Sequence, residues 1–186
     1  MNKNSQISKN FKWSEFLVSE DFPEIILKYD LFNLQVGSRA SKMWFISNEC
    51  LNSGFVESST QANKCVYQYM EWLRTKIWFF THNTLQRLRN IIDKPMVITS
   101  GWRPQELNNC IPGASQTSDH LYRGMSVAVD FKVLGFGKVE ATSFYRSAIP
   151  YILDQNIIPF GQCIIYDSFI HISSNTEKHQ YEIIYK

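Results

Sequence analysis

The sequence predicts an α+β protein in which helices pack on an antiparallel sheet. Three observations carry that reading. Residues 62–92 repeat apolar side chains at helical spacing. Residues 126–131 alternate in the manner of a half-buried strand. Two short apolar runs near the end flank a tight polar turn. The chain has 186 residues, enough for one sizeable core, and its 44% hydrophobic content excludes a disordered chain.

Taken in order, residues 1–10 are polar and read as a flexible tail, with a single domain spanning 11–186. Phe11-Lys-Trp-Ser-Glu-Phe16 opens the ordered part, with Ser14 placed to cap a short helix. Residues 21–62 give mixed signals, punctuated by Pro23, Gly37 and Gly54. From Ala62 to Ile92, the positions Val66, Met70, Leu73, Ile77, Phe80, Leu85, Leu88 and Ile91 describe one helix face. Asp93-Lys-Pro95 ends it, because proline disfavours helix at the residue before it. Met96–Thr99 is a short strand entering the Ser100-Gly101 turn, and Pro104–Asn109 suits one helical turn.

Residues 112–118 are loop. Along the next strand Ser126, Ala128 and Asp130 share one face, and Val127, Val129 and Phe131 the other. Glu140–Gln155 reads as a helix interrupted by Pro150. Cys163–Tyr166 and Phe169–Ser173 flank Asp167-Ser168, a two-residue hairpin turn, and Tyr181–Tyr185 supplies a last strand. There is no internal repeat.

Bulk properties exclude several functions. A net charge of +2 argues against a nucleic-acid binder. No run approaches eighteen apolar residues, so no membrane span is expected. The polar N-terminus lacks the apolar stretch of a secretory signal, which predicts synthesis in a cytoplasm; a substrate outside the membrane would be reached after lysis, through a holin, or from a particle. Cys50, Cys65, Cys110 and Cys163 form no C-x-x-C pair, so they read as reduced thiols rather than a zinc site. Should the protein work outside a cell, Cys50 and Cys65 could bridge. Gly135-Phe-Gly137 has no phosphate-loop context.

The chemistry-bearing stretch runs from Ser118-Asp-His120 to Asp130-Phe, joined by Phe169-Ile-His171-Ile-Ser173. Two imidazoles and a carboxylate suit a zinc ion with one open coordination position, the arrangement used for hydrolysis. Taken singly, His120 also reads as a surface-loop histidine and Asp130 as a strand-end cap. His171 is mid-strand, where a metal and an acceptor behind the ring would satisfy both its nitrogens. His82, inside the long helix, and His179, in a polar loop, read as structural or solvated. Upstream, Ser100-Gly-Trp-Arg103-Pro-Gln-Glu-Leu-Asn108 is a turn that displays an arginine, the side chain best shaped for a carboxylate. Trp102 beside it reads equally as groove wall or packing.

These motifs, in this order, resemble those of the zinc D-Ala-D-Ala carboxypeptidase family: VanX- and VanY-type enzymes, phage endolysin-like peptidases and, as a structural relative, the hedgehog domain. The carriers are Ser-x-His followed by Gly, Ala-x-Asp, the aromatic-x-His-x-Ser strand and the Ser-Gly-Trp-Arg turn. Phe11-x-Trp-Ser-Glu-Phe and Leu85-x-x-Leu-Arg-Asn-x-x-Asp-Lys-Pro-x-x-Ile-Thr-Ser-Gly add to them. The resemblance covers most of residues 11–173 except about 25–75, which looks like an insertion. It implies a hedgehog-like fold, Zn²⁺ held by His120, Asp130 and His171, and substrate positioned by Arg103 and Ser118. Hydrolysis of peptidoglycan stem peptides at or near D-Ala would follow, as a carboxypeptidase or endopeptidase of a bacterium or a phage.

Two departures stand out. Asp130 lies ten positions after His120, where the family usually has seven; a loop absorbs such length at little entropic cost. The family's acid/base is a Glu or Asp shortly before the last histidine. Here that role falls to Asp167, four positions before His171, which also reads as a plain turn-former. A zinc-retaining binding or structural module is therefore the alternative, and a metal-free interaction protein the remaining one.

Overall fold

The computed structural model describes residues 5–16, 62–103, 105–174 and 181–186. Cys50, His179 and residues 25–61 of the expected insertion lie outside them, as does the side chain of Cys65, so the Cys50–Cys65 pairing does too.

Helix α1 (Ala62–Phe80) runs into a π-helical turn (Thr81–Leu85) and then α2 (Gln86–Ile92). The π turn has a sequence cause. Phe80 and Leu85 are five residues apart, which would rotate an α-helical stripe away from the core; one extra residue per turn realigns it. Leu73, Ile77, Phe80, Leu85 and Leu88 all enter the core, and the stripe ends on Ile92, with the expected Ile91 exposed. Asp93 closes α2 in the left-handed region, its N–H bonded to the Arg89 carbonyl at 3.0 Å. His82 is structural, as expected: its Nδ1 lies 2.9 Å from the Trp78 carbonyl.

Then follow β1 (Met96–Ser100), α3 (Gln105–Cys110), a 3₁₀ turn (Asp119–Leu121), β2 (Ala128–Val133), α4 (Lys138–Gln155), β3 (Gln162–Ile165), β4 (Ile170–Ser173) and β5 (Glu182–Tyr185). α4 passes through Pro150 without breaking, since the buried Ile149 and Leu153 hold it to the core on both sides of the missing N–H. The sheet order is β1-β2-β4-β3-β5. Its first four strands pair antiparallel, but β5 pairs parallel to β3, so the sheet is mixed and not wholly antiparallel as expected. Period-two alternation marks a strand and its faces, not its neighbour; β5 lies beside β3 at the edge of the sheet.

One sheet face is core. Phe131, Val133, Cys163, Ile165, Ile170 and Ile172 pack there with Tyr145, Ile149 and Leu153 of α4. The alternate residues Asp130, Lys132, Ile164, Tyr166 and His171 are half-buried on the opposite face. Cys163 is a free thiol whose pKa burial pushes up to about 12, and Cys110 is free and exposed. Among the described residues no helix is long and apolar enough to cross a membrane.

Part of the expected tail folds back. Ile7 is buried, and Ser8 Oγ donates to Gln86 Oε1 at 2.7 Å. The 3₁₀ turn Trp13–Phe16 follows, capped by Glu15, whose Oε2 accepts the Lys12 N–H, and not by Ser14. This segment supports the turn after β1. The Phe16 carbonyl accepts the Trp102 N–H at 2.7 Å. A Cβ at Gly101 would meet that same oxygen at 2.3 Å, so only glycine permits the approach. Gly101→Ala is expected to destabilise the protein by about 2 kcal/mol or more, roughly 4–8 °C in Tm, measured by thermal unfolding.

Candidate metal centre

Asp130 on β2 and His171 on β4 are direct cross-strand partners. Strand pairing alone therefore places His171 Nδ1 2.8 Å from Asp130 Oδ1. His120 comes from outside the sheet, on the 3₁₀ turn. Ser118 caps that turn, its Oγ accepting the His120 N–H at 3.4 Å, and Tyr122 ends it with φ 52°. Two bonds clamp the turn to the segment after β1: His120 Nδ1 lies 2.8 Å from the Gly101 carbonyl, and the Arg103 N–H donates to the His120 carbonyl at 2.8 Å. A carbonyl only accepts, so His120 Nδ1 carries the proton and Nε2 presents its lone pair.

That lone pair faces the other two. His120 Nε2 is 3.2 Å from Asp130 Oδ1 and 3.1 Å from His171 Nδ1. Tetrahedral ligands at zinc bond lengths stand about 3.3 Å apart. The three atoms are thus within a few tenths of an ångström of a ligand face, and the donor set of two imidazoles and a carboxylate fits a divalent transition metal. Electrostatics agree. Burial opposes ionisation of Asp130, yet the two histidines outweigh it and hold the carboxylate below its ordinary pKa. Burial pulls the pKa of His120 down, against the pull of Asp130, which favours the neutral ring a metal needs.

The cluster opens into a cavity of about 600 Å³, lined also by Arg103, Ser118, Lys132, Tyr166 and Lys186. Arg103 leans on the cluster, its guanidinium 3.5 Å from Asp130 Oδ2 and 3.3 Å from Ser100 Oγ. Of the expected site residues, then, the fold brings together His120, Asp130, His171, Arg103 and Ser118. It does not bring in Asp167. That aspartate is exposed on the hairpin turn, where Arg146 of α4 holds Oδ1 at 2.9 and 3.2 Å and Thr142 bonds its carbonyl. α4 packs on the core face, so Asp167 is drawn to the side opposite the cavity. Tyr166, one residue earlier, faces the site instead.

Sequence reasoning also missed Lys76. It is 5% exposed, and its ammonium donates to the carbonyls of Tyr122, Gly124 at 3.0 Å and Ser126 at 3.4 Å, and lies 3.4 Å from the Trp72 ring centre. Burial draws its pKa down to about 6, while the acceptors and the ring favour the ammonium. It pins the loop between His120 and Asp130. No signal in the sequence distinguished it from a surface lysine on a helix. Lys132 was readable: two positions after Asp130, it shares the same strand face.

Without metal, stability is expected to fall with pH. His120 and Asp130 each bind fewer protons folded than unfolded, because both pKa values are depressed from 6.5 and 3.8. The loss through His120 begins below pH 6.5; that through Asp130 follows below 3.8. Urea midpoints measured from pH 7 to pH 3 check this, and a flat profile would contradict it.

Comparison with protein families matches the Peptidase M15 model over residues 45–173. Comparisons with curated proteins and with solved structures give no match. The matched span starts ahead of α1, closes on the last residue of β4 and contains all three members of the cluster. This chain belongs to the peptidase M15 family of metallopeptidases.

Proposed function

We propose that this protein is a zinc metallopeptidase that hydrolyses peptidoglycan stem peptides at or near D-Ala, as a D,D-carboxypeptidase or endopeptidase of the endolysin type. The observation that supports it is the convergence of His120 Nε2, Asp130 Oδ1 and His171 Nδ1 within 3.2 Å beside the Arg103 guanidinium. In this reading the three residues hold Zn²⁺, which supplies Lewis-acid polarisation of the scissile carbonyl and lowers the pKa of water toward ~7.

The chain's own residues do the rest. Arg103 Nη2 already leans on Asp130 and Ser100, so the guanidinium is held beside the cluster before substrate arrives, in position to meet a substrate carboxylate. Ser118 holds the His120 turn through its cap and stands on the cavity wall, within the part of the site where substrate oxygens would lie. Asp167 can take the proton from water only if its carboxylate leaves Arg146. The substrate lies outside the membrane and is reached after lysis or release from a particle.

The Asp167–Arg146 pair favours a second reading, a zinc-retaining module that binds wall peptide without cleaving it. Metal content and D-Ala release from purified cell wall test both. Stoichiometric zinc, with release reduced at least a thousandfold in His171→Ala, is the expected result; a protein that takes up no zinc contradicts the proposal. Asp167→Asn separates the two readings. A ~10²–10⁴-fold loss with zinc retained makes Asp167 the base. Zinc bound with no turnover in either protein makes the chain a binder, and unchanged turnover places the base elsewhere.

A further inference from the structure

The buried ammonium of Lys76 meets the loop between His120 and Asp130 in a repeating pattern. The carbonyls of Tyr122, Gly124 and Ser126 accept from its Nζ, the last two at 3.0 and 3.4 Å. The carbonyls between and after them bond elsewhere. Arg123 accepts from the Ser126 N–H at 3.0 Å and from its hydroxyl at 2.8 Å. Met125 accepts from the Ser174 hydroxyl at 3.2 Å, and Val127 from the Ser174 N–H at 2.8 Å. Tyr122 and Gly124 both stand at φ 52°, with Arg123 between them outside that region. These two left-handed residues reverse the chain locally and let every second carbonyl turn onto the lysine.

The result is a cation site made of backbone. Three oxygens and the Trp72 ring, whose centre is 3.4 Å from Nζ, surround one positive charge. Three acceptors take three N–H groups, which only the charged amine has, so the geometry fixes an ammonium although burial opposes the charge. An anchor for α1 alone needs no such group: Leu73, Ile77 and Phe80 of the same helix already enter the core.

Both ends of the braced loop lead into the metal cluster. Tyr122 closes the turn that carries His120, its N–H on the Asp119 carbonyl at 3.1 Å. Its buried ring sends the hydroxyl to the Ala128 carbonyl at 2.9 Å, two residues before Asp130 on β2. A shift of Tyr122 is therefore felt by His120 and Asp130 together. We propose that Lys76 is a positioning residue for the metal centre: as the built-in cation of a carbonyl site, it holds the His120 turn against the start of β2 and so sets how tightly the cluster binds zinc. The proposal goes beyond the peptidase reading, since it requires a metal held by the cluster and no peptide cleaved.

The test is made on the full-length protein, with zinc affinity measured by competition against a chelator of known affinity and metal-free stability measured in urea. Lys76→Met keeps the length of the side chain and removes the charge; it should bind Zn²⁺ roughly 10–100-fold more weakly than the wild type. Lys76→Ala leaves the three carbonyls around a space that n-propylammonium fits. That ion should restore most of the lost affinity, and tetramethylammonium at the same ionic strength, which has no N–H, should not. A Lys76→Met protein that unfolds more easily yet holds zinc as tightly as the wild type makes Lys76 a structural residue only and overturns the proposal. So does a Lys76→Ala protein on which the two salts act alike. Should the variants fail to fold, refolding Lys76→Ala with n-propylammonium decides: recovery of a zinc-binding protein supports the site, and no recovery overturns it. A wild-type protein that takes up no zinc removes both this proposal and the peptidase reading, whereas a zinc-loaded one that releases no D-Ala removes the peptidase reading alone.

Discussion

The centre depends on one backbone arrangement: the segment after β1 pressed against Phe16 on one side and clamped to His120 on the other. Gly101 sits at its narrowest point, where the Phe16 carbonyl leaves no room for a side chain. The same residue turns its own carbonyl to His120 Nδ1, which sets the tautomer and aims Nε2 at Asp130 and His171. Arg103, two residues on, returns a bond to the His120 carbonyl. Ligand orientation, ligand chemistry and arginine placement thus share one cause, and a loosened clamp would disturb all three together.

The other two members of the cluster need no such device. Asp130 and His171 face each other because β2 and β4 pair in that register, and a slip of one residue would turn both away from the cavity. The weak point is the loop between His120 and Asp130, which carries His120 outside the sheet. Lys76 compensates by gathering three of its carbonyls from beneath, and Tyr122 adds a bond from its hydroxyl to the Ala128 carbonyl at 2.9 Å. Among the described residues Lys76 meets no carboxylate, and burying an ammonium in that way is costly. Here it is offset by acceptors that the loop would otherwise leave unsatisfied.

Much of this was legible from residues alone, for an identifiable reason. The helix over 62–92, the strands and the hairpin follow from apolar periodicity, and the ligand trio from residue type in ordered motifs. The direction of Asp167 was not legible, because a hairpin turn does not declare which face its side chain takes. Parity along β3 assigns the cavity to Gln162, Ile164 and Tyr166, and the turn residue beyond falls to Arg146 on α4, a helix far away in sequence. The parallel pairing of β5 was hidden in the same way, since alternation is a property of one strand and adjacency a property of two.

What the sequence determined by itself was composition of the centre: which side chains could hold a cation, that an arginine would attend them, and that helices and strands would carry them. Those follow from local chemistry and short-range pattern. What only the tertiary structure decided was direction: His120's free nitrogen, Asp167's turn toward the helix, and the three loop carbonyls turned onto Lys76. Each of these rests on contacts between segments tens of residues apart, and the sequence pattern within any one segment does not encode them.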